Sequence, residues 1–310
     1  MSLIDKFNPK NSLELFNLNH YFDNLKNLII KGNFPKVLLI SGDKGLGKST
    51  LVNHLVHFYY DKDNYDLKSK KIRKESKFHM QFLDNVFPNT IFLSGSEYSN
   101  VKISDIRMIK NKLLQTPINN NKRFIIFDDV GLFNTQSLNA LLRIIEEPSD
   151  YNYFILINNN NNLIDTLKSR CIEIKIFINN ISRKEIVSKL SKKFDQKIHF
   201  DIDKLSITPG NLIKYNFIIE KHALNLDQNY LKNLKILLNI YKKEKNIFYK
   251  ELIYFFTDYY LYNFKEKDSI SSKDFVSNQL SIKKKINDFF VFNLSQNSLF
   301  NSLEKKIFNE

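Results

Sequence analysis

The segment SGDKGLGKST, residues 41–50, holds the spacing G-x-x-x-x-G-K-[ST] from Gly42 to Ser49. Glycines at 42, 45 and 47 let the backbone approach phosphate oxygens and aim N–H groups at them. A helix starting near Lys48 adds the positive end of its dipole. Lys48 is expected to reach the β- and γ-phosphates and Ser49 to hold Mg²⁺, with Thr50 completing the set. The second element is Phe127-Asp128-Asp129, a pair of carboxylates after the RFII run. A strand-end Asp beside such a loop can hold the metal's water shell, which suits Asp128. The alternative is that the two carboxylates cap the next segment. These residues imply ATP or ADP with magnesium as ligand.

The elements that must position these groups are legible in the apolar pattern. VLLIS (37–41) is a continuous apolar run, as in a strand buried on both faces. Residues 49–60 carry Leu51, Leu55 and Phe58 at helical spacing, so the glycine turn lies between a strand and a helix. TIFLSG (90–95), RFIIFDD (123–129), YFILI (153–157) and IEIKIF (172–177) read as further strands. ISDIRMIKNKLLQTP (103–117) and TQSLNALLRIIEEPS (135–149) read as amphipathic helices closed by proline. Strands alternating with helices predict an α/β fold with a parallel sheet covered on both faces. Beyond Ile178 the pattern turns helical, with short helices at 182–194 and 209–223 and long apolar faces further on. The expected parts are an α/β domain (1–177), a small helical lid (178–215) and an all-helical domain (216–310). Residues 61–85 are charged and aperiodic, and 158–162 are a run of asparagines read as local bias in a loop.

Composition excludes some classes. No apolar stretch is long enough for a membrane span, and the first ten residues lack a basic-then-apolar signal pattern. With Cys171 alone, no intrachain disulfide can form, and a cytoplasmic location is expected. Cys171 itself reads as a small apolar residue rather than a nucleophile. The formal net charge of +14 fits a polyanion partner such as DNA, or general compositional drift toward lysine. The clusters at 68–77 and 283–285 read as solvated faces. His54, His57 and His79 read as residues of an ordinary helix and loop; a structural zinc needs about four N/S ligands, and none is expected.

In order and spacing, ISDIRMIKNKLLQTP, RFIIFDD, NTQSLNALLRIIEEPS, FILI and LKSRC resemble the bacterial DNA polymerase III clamp loader, a AAA+ family. The start, LFNLNHYFDNLKNLIIKGNFPKVLLISG, resembles its delta prime subunit in particular. The resemblance covers roughly residues 10–215. It implies that Arg170, in Ser169-Arg170-Cys171, reaches into a neighbouring subunit's ATP site as an arginine finger. A guanidinium suits this by its permanent charge and forked donors; pairing with Asp165 is the local alternative. It further implies a hetero-pentamer with other clamp loader subunits, a sliding clamp, primer–template DNA, helical packing in a collar, and polymerase chemistry in another subunit.

Several residues depart from the family pattern. Motor subunits carry Asp-Glu where this chain has Asp128-Asp129, and the shorter Asp129 sets its carboxylate back. They also carry a lid arginine where Gly210 stands here, and Lys214 is out of register by a helical turn. Asn158 or Asn159 could serve as the polar sensor. The cysteines of the family's zinc module are absent, and 61–85 is expected to replace it with something less ordered. The expectation is a delta-prime-like stator with weak or absent ATPase activity. The alternatives are an autonomous AAA+ ATPase, of motor or helicase-loader type, and a basic DNA-binding protein.

Overall fold

The structure, a computed structural model, describes residues 6–95, 101–203, 207–226, 230–268 and 272–307. Within them the chain divides into two compact units, one of Met1–Gln196 with Ile207–Lys214 and one of Lys197–Ser206 with Tyr215–Glu310.

The first unit is built on a five-stranded parallel sheet, ordered β4-β5-β6-β1-β7. The strands are β1 (Val37–Ser41), β4 (Thr90–Ser94), β5 (Arg123–Asp128), β6 (Asn152–Asn158) and β7 (Ile172–Lys175). Strands β1 and β6 are buried at every position, because helices cover both faces of the sheet. Side chains alternate between two cores. One face packs Leu38, Ile40, Ile126 and Ile155 against α1 (Asn19–Ile30) and α2 (Lys48–Tyr60). The other packs Leu39, Phe127, Phe154 and Leu156 against α4 (Ile103–Leu113) and α5 (Thr135–Ile145).

Between α2 and β4 the structure departs from the sequence expectation. Residues 61–85 are not irregular: they form a short hairpin, β2 (Tyr65–Asp66) with β3 (Lys71–Ile72), and then helix α3 (Lys77–Leu83). Ser76 caps α3 by accepting from the His79 amide at 3.0 Å. The hairpin pairs with the segment ahead of α1, Ile72 N–H donating to the Leu13 carbonyl at 2.9 Å. Tyr65, Ile72, Phe78 and Phe82 are buried in the α2 core, and Tyr65 stacks on Phe22 at 5.4 Å. Tyr65 and Ile72 share no period, and the i, i+4 pair Phe78–Phe82 is a single helical turn, so the segment carries little periodic signal.

Short helix α6 (Asp165–Lys168) precedes β7, and α7 (Asn180–Phe194) follows it, with Asn179 capping α7 through the Ser182 amide. The division between the units falls inside helix α8 (Pro209–Lys221).

The second unit consists mainly of α9 (Tyr230–Glu244), α10 (Ile247–Asp268), α11 (Ser272–Val291) and α12 (Gln296–Ile307). Leu234, Leu237, Leu252, Ile253, Phe256, Ile286 and Leu303 are buried there. Tyr230 stacks on Phe256 and Tyr260, and its hydroxyl is satisfied by Thr257 at 2.8 Å. Asn216, fully buried, accepts from the His199 amide and donates to the Lys197 carbonyl.

Candidate nucleotide site

The carboxyl ends of β4, β5, β6 and β1 bring Ser94, Asp128, Asn158 and Ser41 to one edge of the sheet. Open parallel sheets bind ligands at this edge. From β1 the chain turns through Gly42 (φ +149°), Gly45 (φ +91°) and Gly47 (φ +87°) into α2. These dihedrals lie where a Cβ is disfavoured, which is why glycine occupies these positions.

Lys48 opens α2 and is 3% exposed. Its Nζ donates to the carbonyls of Gly42 and Asp43, at 2.7 Å each. Burial pulls its pKa down to about 8, against the opposing charges of Asp128, Asp129 and Asp43. Ser49 Oγ donates to Asp128 Oδ2 at 2.8 Å. A hydroxyl and a carboxylate oxygen so close form a hard-oxygen pair of the kind Mg²⁺ takes, directly or through water. Thr50, half buried, follows in the first turn of α2. Burial raises the carboxyls of both Asp128 and Asp129 above the ordinary carboxylate range. A divalent cation would reverse that balance by favouring the ionised form.

Asp129 sits in the left-handed region at φ +53° and is 3% exposed. Asn161 Nδ2 approaches its Oδ1 at 3.4 Å, and the Asn159 amide favours its ionised form. The asparagine run therefore organises the site's rim rather than forming a plain loop. Asn158 donates to the Asn161 carbonyl at 3.0 Å, and the Asn160 side chain bonds Asp43 of the phosphate loop. Asn161 also packs so tightly on Gly131 that a Cβ there would lie 2.3 Å from it. Among the described residues, Ser41 Oγ and Asn158 Oδ1, on register partners of β1 and β6, are buried without a hydrogen-bond partner.

Gly210 lies in the first turn of α8, against the phosphate loop. Its N–H donates to the Gly45 carbonyl at 3.0 Å, and a Cβ added there would stand 2.7 Å from that oxygen. A larger side chain needs the loop to move. Arg170 lies apart from this cluster, exposed after α6. It donates to the Thr166 carbonyl at 2.7 Å and pairs with Glu146 at 2.9 Å; Asp165 pairs with Lys168 instead. Cys171 donates to the Leu167 carbonyl, and burial pushes its thiol up to about 11, which leaves little thiolate.

The three histidines anchor the α2 core. His54 meets the Tyr65 hydroxyl at 2.9 Å and the Ser12 carbonyl at 3.1 Å. His57 meets the Asn53 carbonyl at 2.7 Å and His79 at 3.0 Å. His79 stands on α3, not in a loop as its sequence context suggests. No group of three or more His, Cys, Asp or Glu suited to a metal occurs among the described residues.

The family model described as "DNA polymerase III, delta subunit" matches residues 18–180, more than half of the chain. A DNA polymerase III subunit gamma of Buchnera aphidicola (Acyrthosiphon pisum strain) is 23% identical over 252 residues, 77% of this chain and 66% of the relative. A subunit delta' from the same organism is 27% identical over 183 residues, 56% of each chain. The chain thus spans two thirds or less of the length of these relatives. A gamma subunit-related protein from Thermotoga maritima matches structurally over 91% of this chain and 96% of its own, with a TM-score of 0.49 and 16% identity. On the family match, the chain belongs to the DNA polymerase III delta subunit family, within the AAA+ proteins of clamp loaders.

Proposed function

We propose that the chain is a delta-prime-like stator of a clamp loader. In this reading it lends Arg170 to the nucleotide site of a neighbouring subunit and turns over little or no ATP itself. Its partners are the other subunits of a hetero-pentamer, a sliding clamp and primer–template DNA, in the cytoplasm.

The observation that carries the reading is the setting of Arg170. Its guanidinium is exposed, and its hydrogen bonds go to Thr166 and Glu146, away from its own phosphate loop. An exposed ion pair contributes about 1 kcal/mol at most, so a partner's γ-phosphate can displace Glu146. Two further features favour weak turnover. Asp129 is one methylene shorter than the usual water-orienting glutamate, and Gly210 packs on the Gly45 carbonyl where motors place an arginine.

ATP would be cradled by the 42–48 backbone and Lys48, with Mg²⁺ held by Ser49 and Asp128. Asn158, with an unpartnered oxygen at the end of β6, is the better candidate for the polar sensor. The Ser49–Asp128 pair also favours a second reading, an autonomous ATPase. Steady-state ATPase of the purified chain, with Lys48→Ala as control, separates the two. The stator reading expects turnover no higher than in the Lys48→Ala protein. Robust turnover abolished by Lys48→Ala would mean that Asp129 suffices and would refute the stator.

A further inference from the structure

Two consecutive carbonyls of the phosphate loop are held by the start of α8. The Thr208 hydroxyl donates to the Lys44 carbonyl at 2.6 Å, and the Gly210 amide donates to the Gly45 carbonyl at 3.0 Å. The approach is as close as the backbone permits. A Cβ on Gly45 would stand 2.4 Å from Thr208 Oγ1 and 2.8 Å from the Asn211 amide nitrogen, and a Cβ on Gly210 would stand 2.7 Å from the Gly45 oxygen. The two glycines are thus complementary: each lacks the side chain that would part the two segments.

The peptide group converts these contacts into a constraint on the loop's donors. In a planar trans peptide the N–H points opposite to the C=O. With the Lys44 carbonyl turned to Thr208, the Gly45 N–H faces away from α8. With the Gly45 carbonyl turned to Gly210, the Leu46 N–H does the same. Neither amide makes a backbone hydrogen bond among the described residues. A loop that binds phosphate by its amides needs them unpaired and turned to one side, at no reorganisation cost on binding.

We infer that Thr208 and Gly210 are positioning residues of the phosphate loop, holding the Gly45 and Leu46 amides in the orientation that receives a nucleoside diphosphate. On this account Gly210 is a backbone strut in its own right and not merely a lost arginine. The inference rests on the nucleotide-binding part of the proposed function, and its test separates the two.

The experiment compares the full chain with Thr208→Val, Thr208→Ser and Lys48→Ala. Magnesium-ADP affinity is measured by calorimetry, and hydrogen exchange over residues 42–48 is followed by mass spectrometry without nucleotide. Thr208→Val keeps the shape but loses the donor. It should bind roughly fivefold more weakly, the worth of one neutral hydrogen bond, and exchange faster over 42–48. Thr208→Ser should restore both, which a merely structural effect of the substitution would not do. Lys48→Ala should lose binding; it serves as the affinity control alone, since it also loses the bonds to the Gly42 and Asp43 carbonyls. Thr208→Val with unaltered affinity and exchange would overturn the inference. If the unaltered chain binds no magnesium-ADP, the nucleotide reading falls by itself. The exchange data then decide the strut: faster exchange in Thr208→Val upholds it, and unchanged exchange overturns it.

Discussion

Raising the pH should weaken nucleotide binding through one side chain. Lys48 is buried, its Nζ enclosed by the Gly42 and Asp43 carbonyls, and its pKa is lowered to about 8 by burial. Asp128, Asp129 and Asp43 face it and oppose the shift, while Lys44 adds to it. The ammonium is the form that binds phosphate, and bound phosphate raises its pKa. Affinity is therefore complete below the free-state value and falls as pH rises through it. At pH 9.5, about 1.5 units above that value, roughly one free Lys48 in thirty is protonated. Affinity for magnesium-ADP should then fall about thirtyfold from its value at pH 7, or about 2 kcal/mol. The phosphates themselves are ionised throughout this range, with a second pKa near 6. Calorimetric titration at constant ionic strength between pH 7 and 9.5 reads the effect. Lys48→Arg is the control, since a guanidinium keeps its charge and should give a flat profile. A flat profile in the unaltered chain, with binding intact, would refute the burial argument.

Two further predictions concern the α2 core. Burial lowers His54 to about 3 and His57 to about 4, so both rings should stay neutral by NMR down to pH 5. A depressed base contributes stability above its unfolded value of 6.5 that is lost as pH falls toward its folded value. His57 alone should therefore cost about 3 kcal/mol by pH 4, and ring titration near 6.5 would contradict this. Phe22, fully buried and stacked on Tyr65, should cost about 3–5 kcal/mol on replacement by Ala in urea denaturation. A loss under 1 kcal/mol would mean that the 65–72 hairpin is not part of that core.

The sheet was legible because its strands are continuous apolar runs such as VLLIS and RFIIFD, separated by helices with clear apolar stripes. The glycine turn between β1 and α2 was legible because glycine at fixed spacing has a direct backbone cause, and the structure sets Ser49 beside the Asp128 the sequence singled out. Other features left little local mark. Tyr65 and Ile72 follow no period, so the hairpin emerges only when the long-range core is assembled, and α3 offers one turn of helical spacing, Phe78 and Phe82 behind Ser76. The asparagines at 158–161 read as bias because amide side chains suit many loops; their bonds to Asp43 and Asp129 depend on where β6 ends. Glu146 could not be matched to Arg170 from spacing alone, because they stand 24 positions apart with all of β6 between them. Gly210 read as a missing arginine, and only the packing distance to Gly45 gives it a positive role.

As a stator, this chain would exert its chemistry on a neighbour's nucleotide. The most direct test is ATPase of a clamp loader reconstituted with Arg170→Ala in this subunit, alongside Lys48→Ala. Loss of an arginine finger removes roughly a thousandfold or more at the site it serves. With Arg170→Ala a stator loses the turnover at the adjoining site, with assembly unchanged, and with Lys48→Ala it keeps near-normal turnover. Full activity with Arg170→Ala, or collapse of activity with Lys48→Ala alone, would contradict the stator reading.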